Sequence, residues 1–112
     1  MSVITTHVLD VSRGRPAAGI AVVLERVSAP QRSTESHAST DADGRVKSFA
    51  PAPSLQAGTY RLTFEVGSYF AAAGIEAFYP RIVVEFEVRD PAQHHHVPLL
   101  ISPFGYSTYR GS

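Results

Sequence analysis

Two stretches of this chain keep a strict two-residue period. Between Thr59 and Val66, Tyr60, Leu62, Phe64 and Val66 alternate with Arg61, Thr63 and Glu65. Ile82, Val84, Phe86 and Val88 then repeat the pattern, with Arg81, Glu85 and Glu87 on the other side. A helix would scatter these apolar residues around its axis, whereas a strand gathers them on one face. Such segments fit only sheets with one dry face and one wet face.

The rest of the chain reads the same way. Val3 to Val11 is a strand rich in β-branched residues, with Thr5, His7 and Leu9 sharing one face. Gly14 and Pro16 end it, leaving Arg13 and Arg15 on an exposed loop. Ile20 to Val27 is a continuous apolar run and suits a central strand. Pro30 to His37 has no period and reads as a loop or a poorly paired edge. Asp43-Gly44 signals a tight turn, and Arg45 to Phe49 follows as a short strand. Ser68 caps a short helix over Tyr69 to Ala73, which Gly74 stops before the boundary at Pro80. Asp90-Pro91 turns the chain into His95-Val97-Leu99-Ile101, whose opposite face carries His94, His96 and Leu100. Ser102-Pro103-Phe104-Gly105 makes a turn, and Tyr106 to Tyr109 folds back antiparallel. Seven or eight short strands and one short helix predict an all-β, two-sheet antiparallel β-sandwich.

At 112 residues the expectation is a single domain, 1–112, small enough that self-association would hide further apolar surface. Ten basic and ten acidic residues cancel, and Lys47 is the one lysine, which argues against nucleic-acid binding. With no cysteine, thiolate chemistry and disulfides are excluded. No apolar run reaches membrane-spanning length and no leader pattern opens the chain, so a soluble, cytoplasmic protein is expected.

The candidate chemistry lies in imidazoles and a guanidinium. His94 and His96 share a face, His7 lies on another strand, and Arg45 opens a strand after a tight turn. An uncharged imidazole accepts a proton from water, while a guanidinium beside it stabilises an oxyanion and disfavours the imidazolium. Three imidazoles also raise zinc, but there is neither a helical His-Glu-x-x-His spacing nor a cysteine, and no metal is expected. Asp41-Ala42-Asp43-Gly44 is not a calcium loop: position six from Asp41 is Val46 and position twelve is Ala52. Nucleophile elbows, phosphate loops and dinucleotide fingerprints are missing too.

Three segments carry a resemblance: Thr6-His7-Val8-Leu9-Asp10, Asp43-Gly44-Arg45, and His96 to Ser112, which reads HVPLLISPFGYSTYRGS. Together they resemble the signatures of the transthyretin-related proteins, the 5-hydroxyisourate hydrolases, in the family's order. The final Tyr109-Arg110-Gly111-Ser112 separates those hydrolases from the hormone carrier transthyretin. His95 departs from the pattern, which has an aromatic there, usually tyrosine; by alternation the change falls on the core face.

The resemblance implies a transthyretin-like sandwich of eight strands assembled as a homotetramer, a dimer of dimers, with the active site where dimers meet. It implies hydrolysis of 5-hydroxyisourate to 2-oxo-4-hydroxy-4-carboxy-5-ureidoimidazoline in urate degradation, without a cofactor. It also implies the site: catalytic His7, Arg45 and His96, with Tyr109, Arg110, Gly111 and Ser112 joining His7 and Arg45 in substrate binding. Within it one of His7 and His96 activates water, His7 being favoured, and the other orients substrate or protonates the leaving nitrogen. Arg45 stabilises negative charge, Tyr109 meets the planar ring, and the carboxylate of Ser112 anchors Arg45 or a histidine. A small-ligand carrier is the alternative, and it would want a wide apolar channel in place of this polar lining.

Overall fold

The computed structural model describes residues 4–27, 35–52 and 55–112. Two sheets face each other. The first contains β1 (Ile4–Asp10), β2 (Arg15–Pro16), β5 (Arg45–Val46), β8 (His95–Ser102) and β9 (Gly105–Thr108). Its order is β2-β1-β8-β9, with β5 also paired to β1. The second sheet runs β4-β3-β6-β7, from β3 (Ala21–Arg26), β4 (Ser36–Ser39), β6 (Gly58–Phe64) and β7 (Ile82–Val88). Ile4, Val8, Leu99 and Ile101 from the first sheet meet Val22, Leu24, Leu62 and Phe64 from the second, all fully buried. The expected two-sheet sandwich is the observed architecture.

The strict alternation holds through β6 and β7: Tyr60, Leu62, Phe64, Ile82, Val84 and Val88 are buried and Phe86 is partly so. The polar partners form a ladder on the outer face, where Arg61 lies in register between Glu25 and Glu85. Its guanidinium is 2.6 Å from Glu85 and 3.5 Å from Glu25.

Several boundaries depart from the sequence reading, each for a local reason. Residues 28–34 fall outside the described chain, but Ser36–Ser39 is a true edge strand paired to β3. Ile20 to Val27 is central by position, yet it alternates: Val22 and Leu24 are buried while Ala21 is exposed. Arg15 and Pro16, expected in a loop, turn back to pair with Asp10 and Leu9. The strand from Arg45 ends at Val46, although Phe49 is buried further on. Val66 does not finish β6; it opens α1 (Val66–Ala72). Ser68 is therefore inside the helix, not its cap, and no side chain caps the Glu65 end. Gly74 stops the helix as expected, at φ +70°. Val66 and Phe70 are the buried residues of α1.

The larger departure is in pairing. β1 and β8 run parallel, with seven residue pairs from Ile4–His95 to Asp10–Ile101. The sandwich is otherwise antiparallel. Beneath the β1 end, the buried Asp10 carboxylate accepts hydrogen bonds from the Ser12 hydroxyl (2.5 Å) and the Tyr69 phenol (2.8 Å), tying the sheet to α1. No helix among the described residues is long and apolar enough to cross a membrane.

Candidate active site

The parallel pairing sets out the site. On β1, Ile4, Thr6 and Val8 point inward, so Thr5 and His7 point outward. On β8 and the residue before it, His95 and Val97 point inward, which turns His94 and His96 outward beside Thr5. On the other edge of β1, β5 sets Arg45 directly opposite His7. Imidazoles and guanidinium thus share the outer face of one sheet, away from the core.

The turn before β5 fixes Arg45. The Asp41 carboxylate accepts from the backbone N–H groups of Asp43 (2.9 Å) and Arg45 (3.0 Å). The Arg45 N–H, with burial opposing it and the Asp43 N–H adding to it, holds the Asp41 carboxyl below its ordinary value. Gly44 adopts φ +75°, and a Cβ there would stand 2.4 Å from the Val8 carbonyl oxygen. Only glycine fits both conditions.

Thr5 supplies the next link. Its hydroxyl oxygen is 2.8 Å from His94 Nε2 and 2.8 Å from His96 Nδ1. His96 is partly buried and its pKa is lowered, first by burial, then by the neighbouring His94, Arg45 and His7. All three groups act on one imidazole, which is kept neutral near pH 7.

The tail closes the far side. The Gly111 N–H donates to the His96 carbonyl at 2.8 Å. A Cβ on Gly111 would lie 2.6 Å from His96 Cδ2 and 3.0 Å from Pro98 Cγ, so the ring rests against bare backbone.

A recess of about 250 Å³ opens here, lined by Thr5, Thr6, Arg45, Val46, Lys47, His94, His96 and Ser112. His7 adjoins it through Arg45. Tyr109 and Arg110 do not line it. They wall a neighbouring cleft of about 310 Å³ together with Phe86, His95 and Thr108, and His96 borders both. His95 is buried on the core side, as its parity requires, and its Nδ1 has no hydrogen-bond partner. No group of three His, Cys, Asp or Glu side chains among the described residues could hold a metal ion.

Sequence reasoning did not single out Thr5 or Lys47 and left His94 open. The signal for Thr5 was its shared face with His7; threonine is so common in strands that it passed as framework.

The fold and site define a class: a small β-sandwich with a histidine–arginine recess on the outer face of one sheet. Comparison with known proteins narrows it. The profile of the Transthyretin group, described as the HIUase/Transthyretin family, matches residues 4–111. A 5-hydroxyisourate hydrolase of Caulobacter vibrioides is 46% identical over 116 residues, covering 100% of both chains. The structure of Klebsiella pneumoniae 5-hydroxyisourate hydrolase is 43% identical with a TM-score of 0.81, covering 100% of this chain and 94% of that one. Sea bream transthyretin, solved in complex with thyroxine, is 27% identical with a TM-score of 0.87, covering 97% and 94%. The chain belongs to the HIUase/Transthyretin family. Backbone shape does not divide that family, since the thyroxine-bound transthyretin superposes at least as well as the hydrolase; side chains must do so.

Proposed function

We propose that this chain, acting as one domain, hydrolyses 5-hydroxyisourate in urate degradation. Hydrolases of that name match it over nearly its whole length. The observation that carries the reading is the pairing of His7 with Arg45 across β1 and β5, beside a recess that also holds His96 and Ser112. Its walls are cationic and imidazole-rich, unlike the apolar wall a carrier would need.

In this reading the neutral His96 is the base. Sequence alone favoured His7, but burial and three neighbouring basic groups act on His96, keeping its lone pair free at neutral pH. The ring takes a proton from water as the water oxygen bonds to the ring-amide carbon. Arg45 stabilises the resulting oxyanion with charged donors. His7, opposite Arg45, orients the substrate. The C–N bond then breaks as the nitrogen takes a proton, leaving a carboxylate. Ser112 bounds the recess from the tail, Gly111 backs the His96 ring, and Tyr109 and Arg110 reach the substrate from the adjoining cleft that shares His96.

A homotetramer, built as a dimer of dimers, completes the proposal. β7 and β9 end their sheets, and Phe78, Phe104, Tyr106 and Tyr109 are exposed. Unpaired strand edges and exposed aromatics favour self-association. A second dimer over the outer sheet face would exclude water from the recess.

The test is a coupled assay: urate oxidase generates 5-hydroxyisourate, and its decay is followed with and without the protein. His7→Ala, Arg45→Ala and His96→Ala should each lose on the order of a hundredfold in rate. Decay at the spontaneous rate with folded wild-type protein would refute the activity.

A further inference from the structure

The Thr5 hydroxyl touches two imidazoles at once, 2.8 Å from each. It carries one proton and can donate to only one of them, so at least one ring must offer an N–H to the oxygen. Neither ring nor the hydroxyl has another side-chain hydrogen bond among the described residues. The three groups form a chain with an exposed outer end at His94 and a partly buried inner end at His96.

We infer that Thr5 is a positioning residue that fixes Nδ1 of His96 and couples its protonation to His94, so that the proton taken from water is held on the exposed imidazole between the two halves of the reaction. The inference rests on the hydrolase reading above. In the resting state Nδ1–H of His96 donates to Thr5, and the Thr5 O–H donates to Nε2 of His94. That leaves Nε2 of His96 free to accept.

As water attacks, its proton bonds to Nε2 of His96. The Nδ1 proton passes to the Thr5 oxygen, and the Thr5 proton passes to His94 Nε2. His96 and Thr5 remain neutral, and His94 becomes the imidazolium. Around His96 stand His7 on β1, Arg45 and Lys47 at β5, His94 on its own segment, Arg110 on the tail, and Glu85 and Glu87 across the adjoining cleft. Of these, His94, Arg45 and His7 oppose a cation on His96. At His94 the charge is solvated by water. When the C–N bond breaks, the chain runs backwards: Nε2 of His96 gives its proton to the nitrogen, Thr5 refills Nδ1, and His94 refills Thr5. Each turnover ends with the three groups as they began.

Thr5→Val keeps the shape of the side chain and deletes the hydroxyl; Thr5→Ser keeps the hydroxyl; His94→Gln removes the proton store. With wild type in parallel, Thr5→Val and His94→Gln should each lower kcat about tenfold to a hundredfold, with KM held within about twofold. Thr5→Ser should keep most of the rate. The double variant Thr5→Val/His94→Gln should be no slower than the slower single variant, because both break one chain. Wild-type kcat in folded Thr5→Val, equal damage in Thr5→Ser, or additive losses in the double variant would each overturn the inference. If wild type itself fails to speed decay, the hydrolase reading falls instead. The coupling is then read in the resting protein by nitrogen NMR of the imidazoles. His96 should be protonated at Nδ1, and Thr5→Val should shift that tautomer; an unchanged tautomer overturns the link.

Discussion

Replacing Gly111 by alanine should disable the site while leaving the fold standing. The backbone there is not in the left-handed region, so alanine meets no conformational penalty. The penalty is local. The new methyl would sit 2.6 Å from His96 Cδ2 and 3.0 Å from Pro98 Cγ. Non-bonded carbons settle near ~3.5–4.0 Å, so ring and tail must part by roughly 1 Å. Pro98 belongs to β8, locked in register opposite His7 of β1, and does not yield. Either the His96 ring swings, straining the 2.8 Å contact to Thr5, or the tail lifts and breaks the 2.8 Å Gly111–His96 hydrogen bond. A misplacement near 1 Å costs a reaction about 100-fold. That corresponds to ~2.7 kcal/mol of barrier. The core is untouched, so the melting temperature should stay close to that of wild type. Gly74→Ala makes the opposite control: its φ of +70° penalises alanine, and no atom lies within 4 Å of the new methyl. It should lose ~1–2 kcal/mol of stability and keep its turnover. The coupled decay assay and a thermal melt on both variants decide the matter. Wild-type turnover in Gly111→Ala would refute the close packing of His96 on the tail.

The acid limb of the pH–rate profile should report His96. Burial, then His94, Arg45 and His7, lower its pKa below 6.5. Activity should therefore be flat at neutral pH and fall only in more acidic solution. In the residual activity of Arg45→Gln the limb should move to higher pH, because one repelling charge is gone; a limb that stays put would exclude that charge as a cause. Gly44→Ala should both destabilise the protein and abolish activity, since its φ of +75° and a Cβ 2.4 Å from the Val8 oxygen break the turn that carries Arg45. Denaturant melts and the decay assay should fail together. Asp10→Asn tests the anchor under β1. Burial raises the Asp10 carboxyl, but hydrogen bonds from Ser12, Tyr69 and Arg13 outweigh it and leave the pKa below 3.8. A depressed carboxyl contributes stability above the unfolded value and loses it as pH falls through the folded one. The variant should therefore cost about 1–3 kcal/mol at pH 7, and the gap should narrow in acid. A gap constant with pH would remove the ionised carboxylate from the account.

Alternation alone located most strands and assigned their faces, because burial of one face leaves a two-residue trace in the sequence. It put His95 inward and His94 and His96 outward, as found. The family signatures named Arg45 and His7, and the structure adds their direct cross-strand pairing. What could not be read was pairing between distant segments. A strand's own sequence does not record whether its neighbour runs parallel, so the β1–β8 match stayed hidden, and with it the place of Thr5. Val66 was ambiguous because an inward residue at a strand's end serves equally well as the first buried residue of a helix. Tyr109 and Arg110 turned to the neighbouring cleft because β9 ends at Thr108, and parity stops where the ladder does.

The Thr5–His96 contact closes a loop of 91 residues. Contacts of such separation form late and slowly, since the entropy of closing the loop comes before any gain. While the chain is being synthesised, β1 can pair with β2 and β5 long before β8 exists. Until then one edge of β1 is bare, a template for another copy's strand. Assembly of the recess is thus a late event in folding. A chain cut short before β8 would lack the site and expose a sticky edge, which makes this contact a built-in mark of a finished molecule.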